Sequence, residues 1–168
     1  MPDEQALVAL ADELGQQIPG VIATSYAHGK ARLTVEPDRT AETLLALRER
    51  GFRFLASVHG LDYYPQEPRL SVQYELLDMD ALDRITVTTR VTVDAPNVAS
   101  VTPDWPTANH QEREVYDMFG IVFDGHPDLR RILMPDDYEG HPQRRDFPIG
   151  GEPVIFTHNE NDVPGWIK

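Results

Sequence analysis

Between Arg84 and Asp94 the chain alternates without a break. Ile85, Val87, Thr89, Val91 and Val93 fall on one side, and Arg84, Thr86, Thr88, Arg90 and Thr92 on the other. Successive side chains of a strand point to opposite faces, so this run demands a sheet with one buried and one wet face. A largely antiparallel sheet meets that demand, because the strands of a wholly parallel one are covered on both sides. Two more runs read the same way. Leu70, Val72, Tyr74 and Leu76 alternate with Ser71, Gln73, Glu75 and Leu77; Phe52, Phe54, Ala56 and Val58 alternate with Arg53, Leu55, Ser57 and His59.

Upstream, Asp3 to Gln17 has the spacing of an amphipathic helix, with Leu7, Leu10, Ala11 and Leu14 on one face. Residues 21–26 and 31–35 read as two strands joined across His28-Gly29. Residues 38–50 form a second helical pattern, with Ala41, Leu44, Leu45 and Leu47 as its buried stripe and Gly51 as its C-terminal cap. The order predicts an α+β fold of two layers, a mostly antiparallel sheet with helices on one face. Three segments follow from the composition. Residues 1–95 make the sheet domain, 96–120 a helical connector, and 121–168 an extended segment that wraps a partner.

The reason for that last expectation is the run from Trp105 to Pro148. It opens as a short charged helix, Glu112-Arg113-Glu114-Val115-Tyr116-Asp117-Met118-Phe119, and stops at Gly120. Beyond it neither the helical nor the strand period holds, and eight of the 14 prolines lie from Pro103 onward. A compact domain has little use for a long segment without structure of its own unless something else holds it. Residues 126–148 carry five acids (Asp128, Asp136, Asp137, Glu139, Asp146) and four arginines (Arg130, Arg131, Arg144, Arg145), leaving 23 of the 28 acids against 11 of the 15 bases elsewhere. A balanced, arginine-bearing strip on an acidic chain suits bidentate ion pairing. Glu112, Arg113 and Glu114 are the groups placed to hold those arginines or a partner's; the plainer alternative is a solvated helix beside a mixed-charge loop.

The rest of the chemistry narrows the choice by exclusion. A net charge of −13 argues against nucleic acid and against direct adhesion to anionic lipid. No apolar run approaches the roughly 20 residues of a membrane-spanning helix, and the first ten residues are acidic where a secretory leader is basic. The chain has no cysteine, hence no disulfide, no thiolate-held zinc and no iron–sulfur cluster on its own sulfur. His110, His126 and His141 lie among carboxylates, but no tight helical ligand spacing is present, and two of them precede proline. No serine nucleophile motif or phosphate loop occurs, and Asp136-Asp137 read as solvent-facing acids. The expectation is a chain with no catalytic, cofactor-binding or metal-binding residues.

The run EREVYDMFGIVFDGHPDLRRIL, Glu112 to Leu133, resembles the signature of the C-type subunit of the proton-pumping NADH:quinone oxidoreductase, the 30 kDa subunit family of respiratory complex I. The likeness continues through MPDDYEGHPQRRDFP and back to Pro96 and Trp105-Pro106, with Tyr138 where the family has tryptophan. It implies a peripheral-arm subunit of a translocase, without redox groups of its own. NADH, FMN, iron–sulfur clusters and quinone would belong to partner subunits. The neighbours it implies are the hydrogenase-like D-type subunit of complex I, which forms the quinone cavity, the small iron–sulfur B-type subunit, and possibly the I-type subunit. The chain would then sit on the cytoplasmic side of a prokaryotic plasma membrane and meet that membrane only through the complex. Carried over by position, the docking and structural residues are Glu112, Arg113, Glu114, Asp117, His126, Asp128, Arg130, Arg131, Glu139, His141, Arg144, Arg145, Asp146 and Phe147. Related complexes use the same subunit with ferredoxin, deazaflavin or hydrogenase partners. A stand-alone metal-binding adaptor is the alternative of another class.

Overall fold

The computed structural model describes residues 4–18 and 20–148. Helix α1 (Glu4–Gln17) leads into strands β1 (Val21–Ala27) and β2 (Lys30–Val35). A 3-10 turn (Pro37–Arg39) then runs into helix α2 (Thr40–Glu49). Strands β3 (Phe54–Asp62), β4 (Leu70–Leu77) and β5 (Arg84–Val91) complete a five-stranded sheet in the order β1-β2-β5-β4-β3. Every pairing in it is antiparallel except β2 with β5. The α+β, mostly antiparallel architecture expected from the alternation is the one observed.

Leu7, Ala11 and Leu14 of α1 and Leu44 and Leu47 of α2 are buried against Ala31, Leu33, Val35, Ile85, Val87, Leu70, Val72, Tyr74 and Leu76 of the sheet. Burying a Leu or Ile side chain stabilises by about 1.5–3 kcal/mol, so this single face dominates the folding energy. In α2 the stripe differs from the expected one. Thr40, Thr43, Leu44 and Leu47 face inward, while Leu45 is exposed. The Thr40 and Thr43 hydroxyls donate to the Glu36 and Arg39 carbonyls one turn back, so both threonines are buried without an unmet donor.

Strand β3 departs from the expected phase. Phe54 and Ala56 are exposed, and Leu55 and Val58 are buried. The register against β4 slips between Leu55 and Ser57, a bulge that lets two residues separated by three positions share one face. Phe52, though buried, precedes the strand. Strand β5 stops at Val91, short of the Asp94 that the alternation reaches.

Two elements had no counterpart in the sequence reading. Strand β6 (Asn97–Ala99) and strand β7 (Val122–Asp124) form a parallel pair on either side of helix α3 (Ala108–Phe119). Val98, Ile121 and Phe123 join the same buried cluster as the main sheet. The helix packs closely on β3: a Cβ on Gly60 would strike the Phe119 ring, so the bare glycine lets helix and strand approach. Gln111 accepts from the Val58 amide, and the Trp105 indole donates to the Arg53 carbonyl at 2.9 Å.

Candidate functional site

Helix α3 turns its Ala108, Glu112, Val115, Met118 and Phe119 positions inward, and Asp117 is buried as well. Glu112 is therefore a core carboxylate. Its Oε1 accepts from the Val101 amide at 2.8 Å and its Oε2 from the Ser100 hydroxyl at 2.7 Å, which fastens the segment after β6 to the helix. Burial pushes its carboxyl above the ordinary range, against the opposing pull of those two donors. His126 lies 4.0 Å from Glu112 Oε2 with its side chain fully covered. The ring accepts the Asp128 amide at Nδ1, so Nε2 carries the proton and donates to the Asn109 carbonyl at 3.1 Å.

Asp117 does what the sequence reading assigned to its neighbours. Oδ2 accepts three successive amides, from Ile132, Leu133 and Met134, at 2.8–3.0 Å. Oδ1 pairs with the Arg131 guanidinium at 2.6 Å. Burial alone would raise this carboxyl, yet the Met134 amide, Arg131 and the other two amides outweigh it and hold the group below its usual range. Arg131 is spent entirely within the chain, its second nitrogen donating to the Tyr138 and Gly140 carbonyls at 2.8 and 3.0 Å. Among the described residues Arg113 binds no carboxylate; it donates to the carbonyls of Arg130 and Arg131.

The strip then caps the helix. An α-helix leaves its last carbonyls without internal donors and ends with partial negative charge. Here His141 Nδ1 meets the Asp117 carbonyl at 3.0 Å, the Gln143 amide the Met118 carbonyl at 3.1 Å, and Arg144 the Phe119 carbonyl at 2.7 Å. Gly120 ends the helix at φ 73°, where an added Cβ would collide with His141 and with Arg144 Nη2. Both the left-handed turn and the close pass of the strip need glycine there. Tyr116 meets the His141 ring edge to face, and Phe147 stacks on Tyr138 at 6.2 Å.

A second fastening closes the strip against the β3–β4 loop. Arg69 donates from Nε and Nη2 to both oxygens of Asp62, at 2.8 and 2.7 Å. The same guanidinium grips Asp146 through Nη1 at 2.7 Å and again through Nη2. The Arg145 amide donates to Asp62 as well, and its guanidinium to the Tyr64 carbonyl. Arg69 and two further amide donors hold Asp62 down to about 2 despite its burial.

Ten of the expected residues thus meet partners inside the chain: Glu112, Asp117, His126, Arg131, His141, Arg144, Arg145, Asp146, Phe147 and, through the carbonyls, Arg113. Glu114, Asp128, Arg130 and Glu139 lie at the surface. Asp128 and Arg130 pair with each other at 2.9 Å in solvent, an interaction worth under about 1 kcal/mol. Asp62, Arg69 and Ser100 went unnoticed in the sequence. The one available signal was an arginine set directly before an alternating strand, where a solvated residue is the usual occupant. Among the described residues no three His, Asp or Glu side chains gather as metal ligands.

The two kinds of carboxylate give opposite pH dependence. Asp62 and Asp117 are held below their unfolded values. Their stabilisation is complete above the unfolded range near about 4 and is lost as pH falls through the folded values, about 2 for Asp62. Glu112 is raised, so folding favours its protonated form, and stability is lost as pH climbs from the unfolded range toward the folded one. Glu112→Gln keeps an acceptor for the Val101 amide and removes that loss. The variant should gain stability relative to the parent as pH rises from about 4 to 7, read as the difference in urea midpoints. A constant difference would mean Glu112 folds as readily charged as neutral.

Residues 33–153 match the family model described as the respiratory-chain NADH dehydrogenase 30 Kd subunit. The C-type subunit of NADH-quinone oxidoreductase from Saccharopolyspora erythraea is 46% identical over 156 residues, 90% of this chain and 63% of that protein. The chain thus spans less than two thirds of that relative's length. The corresponding C-type subunit of Roseiflexus sp. strain RS-1 is 42% identical over 146 residues, covering 85% of this chain and 84% of its own. The trypsin-resistant fragment of Nqo5 superposes with a TM-score of 0.63 at 33% identity, over 72% of this chain and 97% of the fragment. A chain of the membrane-bound sulfane sulfur reductase, an archaeal respiratory membrane complex, shares the fold, with a TM-score of 0.72 over 84% of this chain and 85% of its own at 23% identity.

Proposed function

This chain belongs to the 30 kDa subunit family of respiratory-chain NADH dehydrogenase, and we propose that it serves as a non-catalytic peripheral-arm subunit of a proton-translocating NADH:quinone oxidoreductase. In this reading it braces the hydrogenase-like subunit beside the quinone cavity and the small iron–sulfur subunit. NADH, FMN, iron–sulfur clusters and quinone are handled by those and other partners. No described helix is long and apolar enough to cross a membrane; attachment at the cytoplasmic face runs through the complex.

The observation that carries the bracing role is the way Asp117 holds residues 132–134. By accepting their three amides it fixes the backbone so that Leu133 points outward, 60% exposed, with Ile132 beside it at 36%. A rigid, solvent-facing leucine on a loop is a ready anchor. Interfaces draw most of their energy from a few such preorganised side chains, because little entropy is lost when they dock. The arginines and acids of the strip then act as the internal scaffold that presents the anchor.

Leu133→Asp tests this. Since the side chain touches little within the chain, folded stability should stay within about 0.5 kcal/mol of the parent. Recovery of the hydrogenase-like subunit with the tagged variant should fall at least about tenfold. Its full recovery would move the docking surface elsewhere.

A further inference from the structure

The sheet face opposite the helices carries a charge opposite to that of the chain. Register places Lys30, Arg32 and Thr34 of β2, Arg84, Thr86, Thr88 and Arg90 of β5, and Ser71, Gln73 and Glu75 of β4 on that side, away from the buried stripe. His59 belongs with them, its Nε2 at 3.2 Å from Gln73 Oε1. The strand positions of this face hold Lys30, Arg32, Arg84 and Arg90, four of the chain's 15 basic residues, and Glu75 alone of its 28 acids. The molecule as a whole is at −13.

That one acid is already committed. Glu75 Oε1 binds Lys30 at 2.8 Å and accepts from Thr86 at 2.9 Å. Arg90 lies over the Tyr63 ring at 4.5 Å, keeping its charge on the face. Arg32 and Arg84 have no ion pair or hydrogen bond among the described residues. Lys30 and Arg84 also stand side by side, each one residue before the Ala31–Ile85 pair of adjacent parallel strands. Like charges as cross-strand neighbours destabilise a sheet; Glu75 offsets Lys30, and Arg84 is left without a counter-charge among the described residues. A trough of about 470 Å³ runs beside it, lined by Lys30, Ser57, His59, Gln73, Glu75 and Arg84.

We propose that this open sheet face docks an acidic, extended segment of a neighbouring subunit, whose carboxylates pair with Arg32 and Arg84. The inference rests on the chain working inside a multi-subunit assembly. The occupant follows from charge complementarity. Two guanidiniums unpaired among the described residues suit carboxylates in bidentate geometry, and a mainly basic face on an acidic molecule steers an acidic partner toward it. The face lies across the sheet from the helices, so it is a second surface, distinct from the Leu133 anchor on the strip.

The test places a photo-crosslinking benzoylphenylalanine at Ser25, an exposed position opposite Arg32, in the tagged chain purified as its native assembly. Adducts are mapped by mass spectrometry. The expected result is an adduct on one acid-rich segment of another subunit. It should drop at least about tenfold in R32E/R84E and persist in R32K/R84K. If the charge reversal does not fold, R32Q/R84Q supplies the same comparison. Adducts confined to lipid would overturn the proposal in favour of an anionic membrane surface. An adduct indifferent to the charge reversal would overturn it, as would no adduct in an intact assembly. A chain that purifies alone would overturn the subunit reading itself, and this inference with it.

Discussion

Asp117→Ala is expected to lower folding stability by about 3–5 kcal/mol, the usual consequence of removing one partner from a buried ion pair. The Asp117 side chain has no exposure, and its loss leaves the Arg131 guanidinium, 14% exposed, and three backbone amides without an acceptor. At about 2–4 °C per kcal/mol for a chain of this size, the melting midpoint should fall by roughly 10 °C. Thermal and urea unfolding give the two numbers independently. Asp117→Asn, which keeps an oxygen for the amides but not the charge, should recover part of the loss. A drop below about 1 kcal/mol would mean that the strip is held by its apolar contacts and that the nest is incidental. Because the same carboxylate orients Ile132 and Leu133, the alanine variant should also lose partner recovery, unlike Leu133→Asp, which should lose recovery alone.

The second large effect is expected at Arg69. Arg69→Ala strands Asp62, 1% exposed, and frees Asp146 from the loop it fastens. The expected loss is again about 3–5 kcal/mol. Lysine at this position offers a point charge without the planar fork, and it should restore less than half of the loss. The mechanism has its own signature besides stability. With the guanidinium gone, the Asp62 carboxyl loses the main influence that holds it at about 2 and should titrate closer to the ordinary carboxylate range, measurable by NMR. An Asp62 that still titrates near its parent value in Arg69→Ala would assign the shift to the Arg145 and Tyr64 amides instead.

How much of this was legible beforehand depends on the distance over which each feature is decided. Strands β4 and β5 follow from alternation because their two faces differ along the whole length. Strand β3 defeated the same reasoning at one residue pair, since the bulge between Leu55 and Ser57 resets the phase and leaves no mark in polarity. Strands β6 and β7, three residues each, are too short for any period to register. In α3 the charged run pointed to Glu112, Arg113 and Glu114 as the holders of the downstream arginines. The rotation of the helix is set by Ala108, Val115 and Phe119 against the sheet, and that rotation carries Glu112 into the core and aims Asp117 at the strip. Charge pattern shows that pairing will occur; only packing decides which carboxylate does it. The Asp62–Arg69–Asp146 clamp joins residues 77 positions apart, and no local rule reaches that far.

The strip illustrates the same division. Its proline content and balanced charge did indicate a segment held by something outside its own backbone. Up to residue 148 much of that something is the chain itself: the end of α3, the β3–β4 loop and the β6 edge. On the function proposed above, a neighbour would meet a surface prepared by those bonds, with Leu133 and Ile132 exposed on it. On that proposed function, an internal scaffold of this kind would supply rigidity at the place where partners meet.

The most direct test is an affinity purification of the tagged chain from gently solubilised membranes, with the eluate assayed for oxidation of NADH by quinone. The expected result is a large multi-subunit assembly with inhibitor-sensitive NADH:quinone activity. Recovery of the chain alone, as a 19.0 kDa protein in the soluble fraction, would contradict it.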